Sequence, residues 1–218
     1  MRLKARLAAV LLLLAAALPA VAQTYYDIDV DLPQFPEMEP IADSPVYWAP
    51  GVNSNYFFYD GVFWDYHHDL WHWSAWYNGP WMVVDPVYVP TYVLWVPVRY
   101  YHKPAHHFAG VHPDKPPRWG QHWGRDWQAR HNQVYAGLAT NWTRAPLPSY
   151  QRQFTRANYP RNYDQQRAIH TQHYTWQPRE GTMRQQPRNR GATTQGNPAQ
   201  REAPEAPPQT DGRGLRTR

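Results

Sequence analysis

The stretch YFFYDGVFWDYHHDLWHWSAWYNGPWMVV, residues 56–84, is the part of the chain densest in large apolar side chains. Its short aromatic runs are separated by Asp60-Gly61, by His67-His68-Asp69 and by Asn78-Gly79-Pro80, and Gly supplies the positive φ that tight turns require. The pattern predicts a small antiparallel β-meander. Five of the chain's 12 Trp residues lie in it: Trp64, Trp71, Trp73, Trp76 and Trp81.

The turn at Asp60-Gly61 predicts how the flanking strands pair. A two-residue type I′ turn at this position places Tyr59 opposite Val62 and Phe58 opposite Phe63. Because side chains alternate between the two faces of a strand, this register makes both faces of the sheet aromatic. A sheet with one face in water would not need two aromatic faces. We therefore expect other parts of the chain to cover the second face.

An alternative is that some of these rings stay exposed and form a stacking platform for a glycan such as peptidoglycan. The candidate rings lie in and just after the third aromatic run of the meander: Trp71, Trp73 and Trp76. Buried aromatic area is the main stabiliser available to so small a core, and this favours burial of the rings over exposure.

The first 22 residues have the order of a secretory signal peptide. Three basic residues precede the apolar run Leu7–Leu18, and the small-residue step Ala20-Val21-Ala22 follows it. The apolar run is shorter than the roughly 20 residues that a transmembrane helix needs. We expect cleavage before Gln23 and an exported protein without a transmembrane segment, located in the periplasm or, alternatively, secreted.

The composition limits the size of the folded part. The 218 residues include 23 Pro and no Cys, and the mean hydropathy is −0.79. Without Cys there is neither a disulfide nor a thiolate mechanism, so stability must come from buried aromatic rings. We expect an acidic, Pro-rich lead-in at residues 23–51 and an aromatic β core with a short helix at residues 52–130. A basic, low-complexity and largely disordered tail is expected at residues 131–218.

The charges are separated along the chain. Residues 23–85 contain ten acids and no Lys or Arg, whereas residues 86–218 contain 19 basic residues and seven acids. The basic residues are nearly all Arg, which suits planar contacts with carboxylate, phosphate or aromatic rings. The expected partners are therefore anionic envelope components or a glycan. The export signal argues against nucleic acid.

Histidine raises the question of a metal site, because imidazole is a common ligand for zinc, copper and nickel. The chain has 11 His. The candidate ligands His102, His106 and His107 lie in a stretch broken by Pro and Gly, with no regular face to fix their geometry. The sequence therefore predicts no bound metal or other cofactor, and His-mediated periplasmic metal binding remains an alternative.

A stripe of Trp residues follows Pro116-Pro117. Trp119, Trp123 and Trp127 recur every four residues, so on a helix they would lie along one face. Such a stripe is most often a docking face. We expect a short Trp-striped helix that covers one side of the meander. The nearby Arg118, Arg125 and Arg130 are expected to meet acids from the first half of the chain.

The order of these motifs resembles a family of short exported proteins from Gram-negative bacteria, rich in aromatic residues and proline. The likeness covers roughly residues 56–150 and implies a periplasmic or envelope location. The family offers no catalytic residues to carry over. The motifs that carry the resemblance are Tyr59-Asp60-Gly61, Trp64, Trp76-Tyr77-Asn78-Gly79-Pro80-Trp81, Val96-Pro97-Val98-Arg99-Tyr100-Tyr101 and the eight residues Arg118 to Arg125 with the preceding Pro116-Pro117.

The sequence lacks the common catalytic signatures. There is no nucleophile elbow, thiol, glycine-rich phosphate loop or HExxH zinc pair. The function predicted from the sequence is that of an exported, non-enzymatic envelope protein with a binding or structural role. Glycan recognition by exposed rings and metal binding by His are the two alternatives.

Overall fold

A computed structural model of the protein describes residue 28, residues 30–135 and residues 141–179, with the backbone alone for residues 132–135. The predicted signal peptide at residues 1–22 lies outside the described residues. Residues 23–27 and 29 of the predicted lead-in also lie outside the described residues, as do residues 180–218 of the predicted tail.

The fold is mainly β, with one six-stranded antiparallel sheet whose strands follow one another in sequence order. Four short α-helices and several 3-10 turns surround the sheet. No helix in the described ranges is long and apolar enough to cross a bilayer. The strands are β1 (Glu39–Pro40), β2 (Tyr47–Trp48), β3 (Asn55–Tyr59), β4 (Val62–His67), β5 (Leu70–Ser74) and β6 (Met82–Val84), and the helices are α1 (Thr91–Leu94), α2 (Trp119–Trp123), α3 (Arg125–Tyr135) and α4 (Tyr163–His173).

The register of the central hairpin confirms the prediction from the turn. Tyr59 pairs with Val62 and Phe58 with Phe63 across the β3–β4 ladder. The two turn residues have positive φ, 50° at Asp60 and 95° at Gly61, as a type I′ turn requires. A two-residue turn fixes the register of the two strands, and the register determines which side chains share a face.

Both faces of the sheet are covered, as the alternation predicts. One face contributes Phe57, Trp64, Tyr66 and Trp71 to the larger of two buried clusters. The opposite face contributes Tyr56, Phe58 and Phe63 to the second cluster. The sheet is therefore the middle layer of the molecule, and its side chains are buried on both sides.

The Trp stripe packs on the first of these faces, but it is not one continuous helix. Gly124, with a φ of 88°, separates α2 from α3. The indoles of Trp119 and Trp123 stack with ring centroids 4.5 Å apart, and the stripe continues to the buried Trp127. The indole N–H of Trp119 donates to the carbonyl of Leu94 at the end of α1, 2.9 Å away.

The expected contacts between the stripe's Arg residues and the acids of the first half do not form. Arg118, Arg125 and Arg130 are exposed, and within residues 30–135 and 141–179 none of them is part of an ion pair. The charge-complementary contact found instead joins Arg156 to Asp31, with Nη2 and Oδ2 3.0 Å apart at the surface.

The folded core is longer than predicted at both ends. On the second face, the buried side chains of Val30 and Phe35 come from the predicted lead-in. Residues 141–179, predicted to belong to a disordered tail, cover the same face. Gln151 is completely buried, accepting from the amide of Tyr77 and donating to the carbonyl of Ala75, both at 2.9 Å. Buried residues therefore lie beyond both predicted boundaries of the core, residues 52 and 130.

One carboxyl is buried in the sheet. Asp65 on β4 accepts a hydrogen bond from the hydroxyl of Ser54, and its other oxygen has no partner within the described residues. Burial raises the pKa of Asp65 from 3.8 to about 7, although the hydrogen bond from Ser54 and the charge of Lys103 act in the opposite direction. The facing residue His72 is also buried, and desolvation lowers its pKa to about 4.

We expect Asp65→Asn to gain stability relative to the wild type as the pH rises from 5 to 8. The folded-state pKa of about 7 lies above the usual 3.8, so between these pH values the folded wild type holds a proton that the unfolded chain has lost. The stabilisation of the wild type by this proton is therefore lost as the pH rises to about 7, by roughly 3 kcal/mol between pH 5 and 7, with little further change up to pH 8. Urea unfolding of both proteins at several pH values measures it. His72 is present in both proteins, so its titration cancels, and a difference that does not change with pH would contradict the burial of a carboxyl.

We expect Gly61→Ala to destabilise the protein more than Gly110→Ala does. Both glycines have positive φ, 95° and 74°, so both substitutions carry a backbone cost of about 1–2 kcal/mol. At Gly61 the new Cβ would also lie 3.2 Å from Cδ1 of Trp176 and 3.3 Å from Cε1 of Tyr174, whereas at Gly110 it meets nothing within 4 Å. Chemical denaturation compares the losses, and equal losses would show that residues 174–176 do not pack on the turn.

Candidate metal centre

The three candidate stacking rings are exposed to different degrees. Trp71 is completely buried, Trp76 is 1% exposed, and Trp73 is partly exposed. The second half of the chain surrounds Trp76 with the rings of Tyr150, Phe154 and Tyr159, whose centroids lie 5.2–5.7 Å from its own. Stacking of a ligand on Trp76 would first require this covering to be removed. Trp71 is packed instead against the rings of Tyr66 and Trp119.

The three candidate His residues lie in different environments. His102 and His106 are exposed, whereas His107 is partly buried. His107 lies next to two side chains that were not among the predicted ligands, Asp69 and His122. Among the described residues, these three form the one group of His, Asp or Glu side chains whose potential ligand atoms all lie within 4.8 Å of one another.

Each of the three side chains is positioned by a different element. Asp69 belongs to the two-residue turn between β4 and β5, where His68 and Asp69 have positive φ of 47° and 65°. His107 lies in the 3-10 turn His106–Phe108, and His122 lies on α2. The cluster therefore forms only when the layer that covers the sheet has docked against the β4–β5 hairpin.

The potential ligand atoms of the two histidines lie close to the carboxylate of Asp69. The Nε2 atom of His122 is 2.8 Å from Oδ1 of Asp69 and 2.9 Å from its Oδ2. The Nδ1 atom of His107 is 3.8 Å from the same Oδ1. The two imidazole rings are parallel within 1° and their centroids are 3.7 Å apart.

Aromatic side chains pack against the ring of His107. The ring of His107 lies 5.6 Å from Trp119 and 4.7 Å from Phe108, and it meets Tyr66 edge-on at 6.2 Å. The hydroxyl of Tyr66 donates to Oδ1 of Asp69. This hydrogen bond orients the carboxylate from the buried side, which is the role that outer-shell donors play at metal sites.

The electrostatics keep His107 neutral and Tyr66 protonated. Desolvation lowers the pKa of His107, and the neighbouring His122 lowers it further. Burial raises the pKa of Tyr66, and its hydrogen bond to Asp69 adds to the effect. A neutral imidazole has a lone pair to offer a metal ion, so the burial of His107 favours coordination over protonation.

The geometry fits a metal ion after a small rearrangement. For tetrahedral zinc with bonds of 2.0–2.1 Å, neighbouring ligand atoms lie about 3.3 Å apart, within the range of separations found here. The lone pairs of parallel imidazoles point in parallel directions, however, so the two rings must rotate apart to converge on one ion. An ion would also replace the hydrogen bond between His122 and Asp69.

The sequence offered limited signals for this site. His122 is one of the histidines that raise the question of a metal site, but the regular pattern around it is the Trp stripe of Trp119 and Trp123. The usable signal was the pair of polar residues His68-Asp69 at a tight turn. That signal does not show which distant His would reach the turn.

A scan against protein-family models, a search of curated proteins and a search of solved structures find no match to this chain. Its function must therefore be inferred from the geometry and chemistry of its own residues.

Proposed function

We propose that this protein is an exported, non-enzymatic envelope protein that binds a divalent transition-metal ion through Asp69, His107 and His122. The observation that carries the proposal is the convergence of two imidazoles and one carboxylate from three separate segments, with all ligand atoms within 4.8 Å. Export is supported by the order of basic, apolar and small residues at the N-terminus.

The ligand set selects the class of ion. Imidazole nitrogen suits zinc, copper and nickel, whereas magnesium and calcium prefer oxygen ligands alone. Three protein ligands leave at least one coordination position to water or to an external ligand. Asp69 is exposed, so an ion could enter from solvent without opening the core.

The competing explanation is an ordinary contact between a histidine and an aspartate at the surface. The pairing of His122 with Asp69 needs nothing more. That contact does not involve His107, whose Nδ1 lies 3.8 Å from Oδ1 of the same carboxylate. A metal ion would give both imidazoles a shared partner.

We expect tag-free mature protein to bind one Zn²⁺ or Cu²⁺ per chain in calorimetry and to give no comparable heat with Mg²⁺. His107→Ala and His122→Ala should each weaken binding at least tenfold, because each removes a ligand of the ion. Saturating zinc should also stabilise the fold, by about 2.7 kcal/mol at 100 times the dissociation constant.

The matched controls are His102→Ala and His106→Ala, which remove exposed imidazoles from the same part of the chain. These variants should bind as the wild type does. If they weaken binding as much as His107→Ala does, or if the wild type shows only weak heats from many sites, the binding is adventitious and the proposed site is wrong.

We expect Tyr66→Phe to weaken metal binding by about 10–100-fold while the fold is retained. The substitution keeps the buried ring and removes the hydroxyl that donates to Asp69, and loss of an outer-shell donor has a cost of this size. Calorimetry with Zn²⁺ measures the affinity, and circular dichroism confirms the fold. Tyr101→Phe is a control on a nearby buried ring outside the ligand set, and an equal loss in both variants would contradict the role given to Tyr66.

A further inference from the structure

A second candidate site lies on the other side of α2. A cleft of about 310 Å³ opens between the end of α1, the segment before α2 and the start of α3. This volume is at the lower end of the range for small-molecule sites. The floor of the cleft is apolar and consists of the buried side chains Leu94, Pro117, Trp119 and Trp127.

One wall of the cleft is an exposed indole. Trp95, directly after α1, is 43% exposed, although large apolar side chains in the described residues are mostly buried. Leu70, Tyr88 and Tyr163 are exposed to a similar degree, but they do not line the cleft. Trp95 therefore presents an exposed aromatic ring beside the cleft, and a flat apolar ligand surface could stack on this ring.

The rim of the cleft is polar and positively charged. Arg118, Gln121 and Gln128 line it and are exposed, and no Asp or Glu is among the lining residues. A Cβ added at Gly120 would lie 2.8 Å from the amide carbon of Gln128, so the side chain of Gln128 rests against the backbone of Gly120. The cleft thus combines an apolar wall and floor with two primary amides and one guanidinium.

We propose that this cleft binds an acidic saccharide, that is, a sugar ring that carries a carboxylate. The apolar C–H face of such a ring would stack on Trp95, as apolar surface does on an aromatic face. Its hydroxyl or acetamido groups would exchange hydrogen bonds with Gln121 and Gln128, and its carboxylate would pair with Arg118. A purely apolar ligand would leave these three polar groups without a role. The inference is independent of the metal site.

The test uses two sugars that differ by one lactyl ether group, which carries the carboxylate. N-acetylmuramic acid and N-acetylglucosamine are titrated into the full mature chain, and binding is followed by saturation-transfer NMR of the sugar protons. We expect the acidic sugar to bind about tenfold more tightly, because a hydrogen bond to a charged group is worth about 1.5 kcal/mol or more. Arg118→Gln should remove this preference but leave the weaker binding that the two sugars share.

Trp95→Ala should abolish the binding of both sugars, and Tyr88→Ala, which removes an equally exposed ring away from the cleft, should change neither. Gly120→Ala should weaken both sugars because it displaces Gln128. Equal binding of the two sugars by the wild type, no binding of either, or unchanged binding by Trp95→Ala would overturn the proposal. Trp95 and Arg118 are surface side chains, so circular dichroism should show both variants folded.

Discussion

The structure depends on the burial of aromatic rings on both faces of a single small sheet. A chain without Cys cannot use disulfides, and a two-sided sheet of Phe, Tyr and Trp must be covered twice. The helices and turns between residues 89 and 131 supply one cover, and the segments around residues 28–35 and 145–176 supply the other. In the described part of the chain, the proline-rich segments on either side of the meander are therefore layers of the core.

Both candidate sites include residues of helix α2 in the first cover. This helix contributes Trp119 to the core, His122 to the proposed metal centre and Gly120 to the lining of the cleft. A five-residue helix can serve three surfaces because successive residues point in different directions around its axis. Its position is held by the indole N–H of Trp119, which is bonded to the carbonyl of Leu94. A change that moves this helix would alter both sites together.

The local parts of the fold could be predicted from the sequence, and the distant contacts could not. The Asp60-Gly61 turn specifies the register of β3 and β4 through backbone geometry alone, and the alternation of rings then assigns the faces. The end of the core was missed because the covering segments are rich in Gln, Pro and Arg. Gln151 and Gln166 can be buried because their side-chain amides form hydrogen bonds with backbone groups of the loops next to the sheet. Such hydrogen bonds cannot be read from the hydropathy of the sequence. Asp69 and His122 come together through docking, which local spacing does not encode.

The contact at the tip of the central hairpin has a consequence for how the chain is made. The carboxylate of Asp60 accepts from the indole N–H of Trp176 at 2.9 Å and from the amide of Arg179 at 2.8 Å, more than a hundred residues later in the chain. Ribosomes deliver the hairpin well before these partners exist. For that interval Tyr56, Phe58 and Phe63 lack the part of their cover that residues 145–176 supply, so apolar ring surface is exposed to aggregation until the last third of the chain arrives.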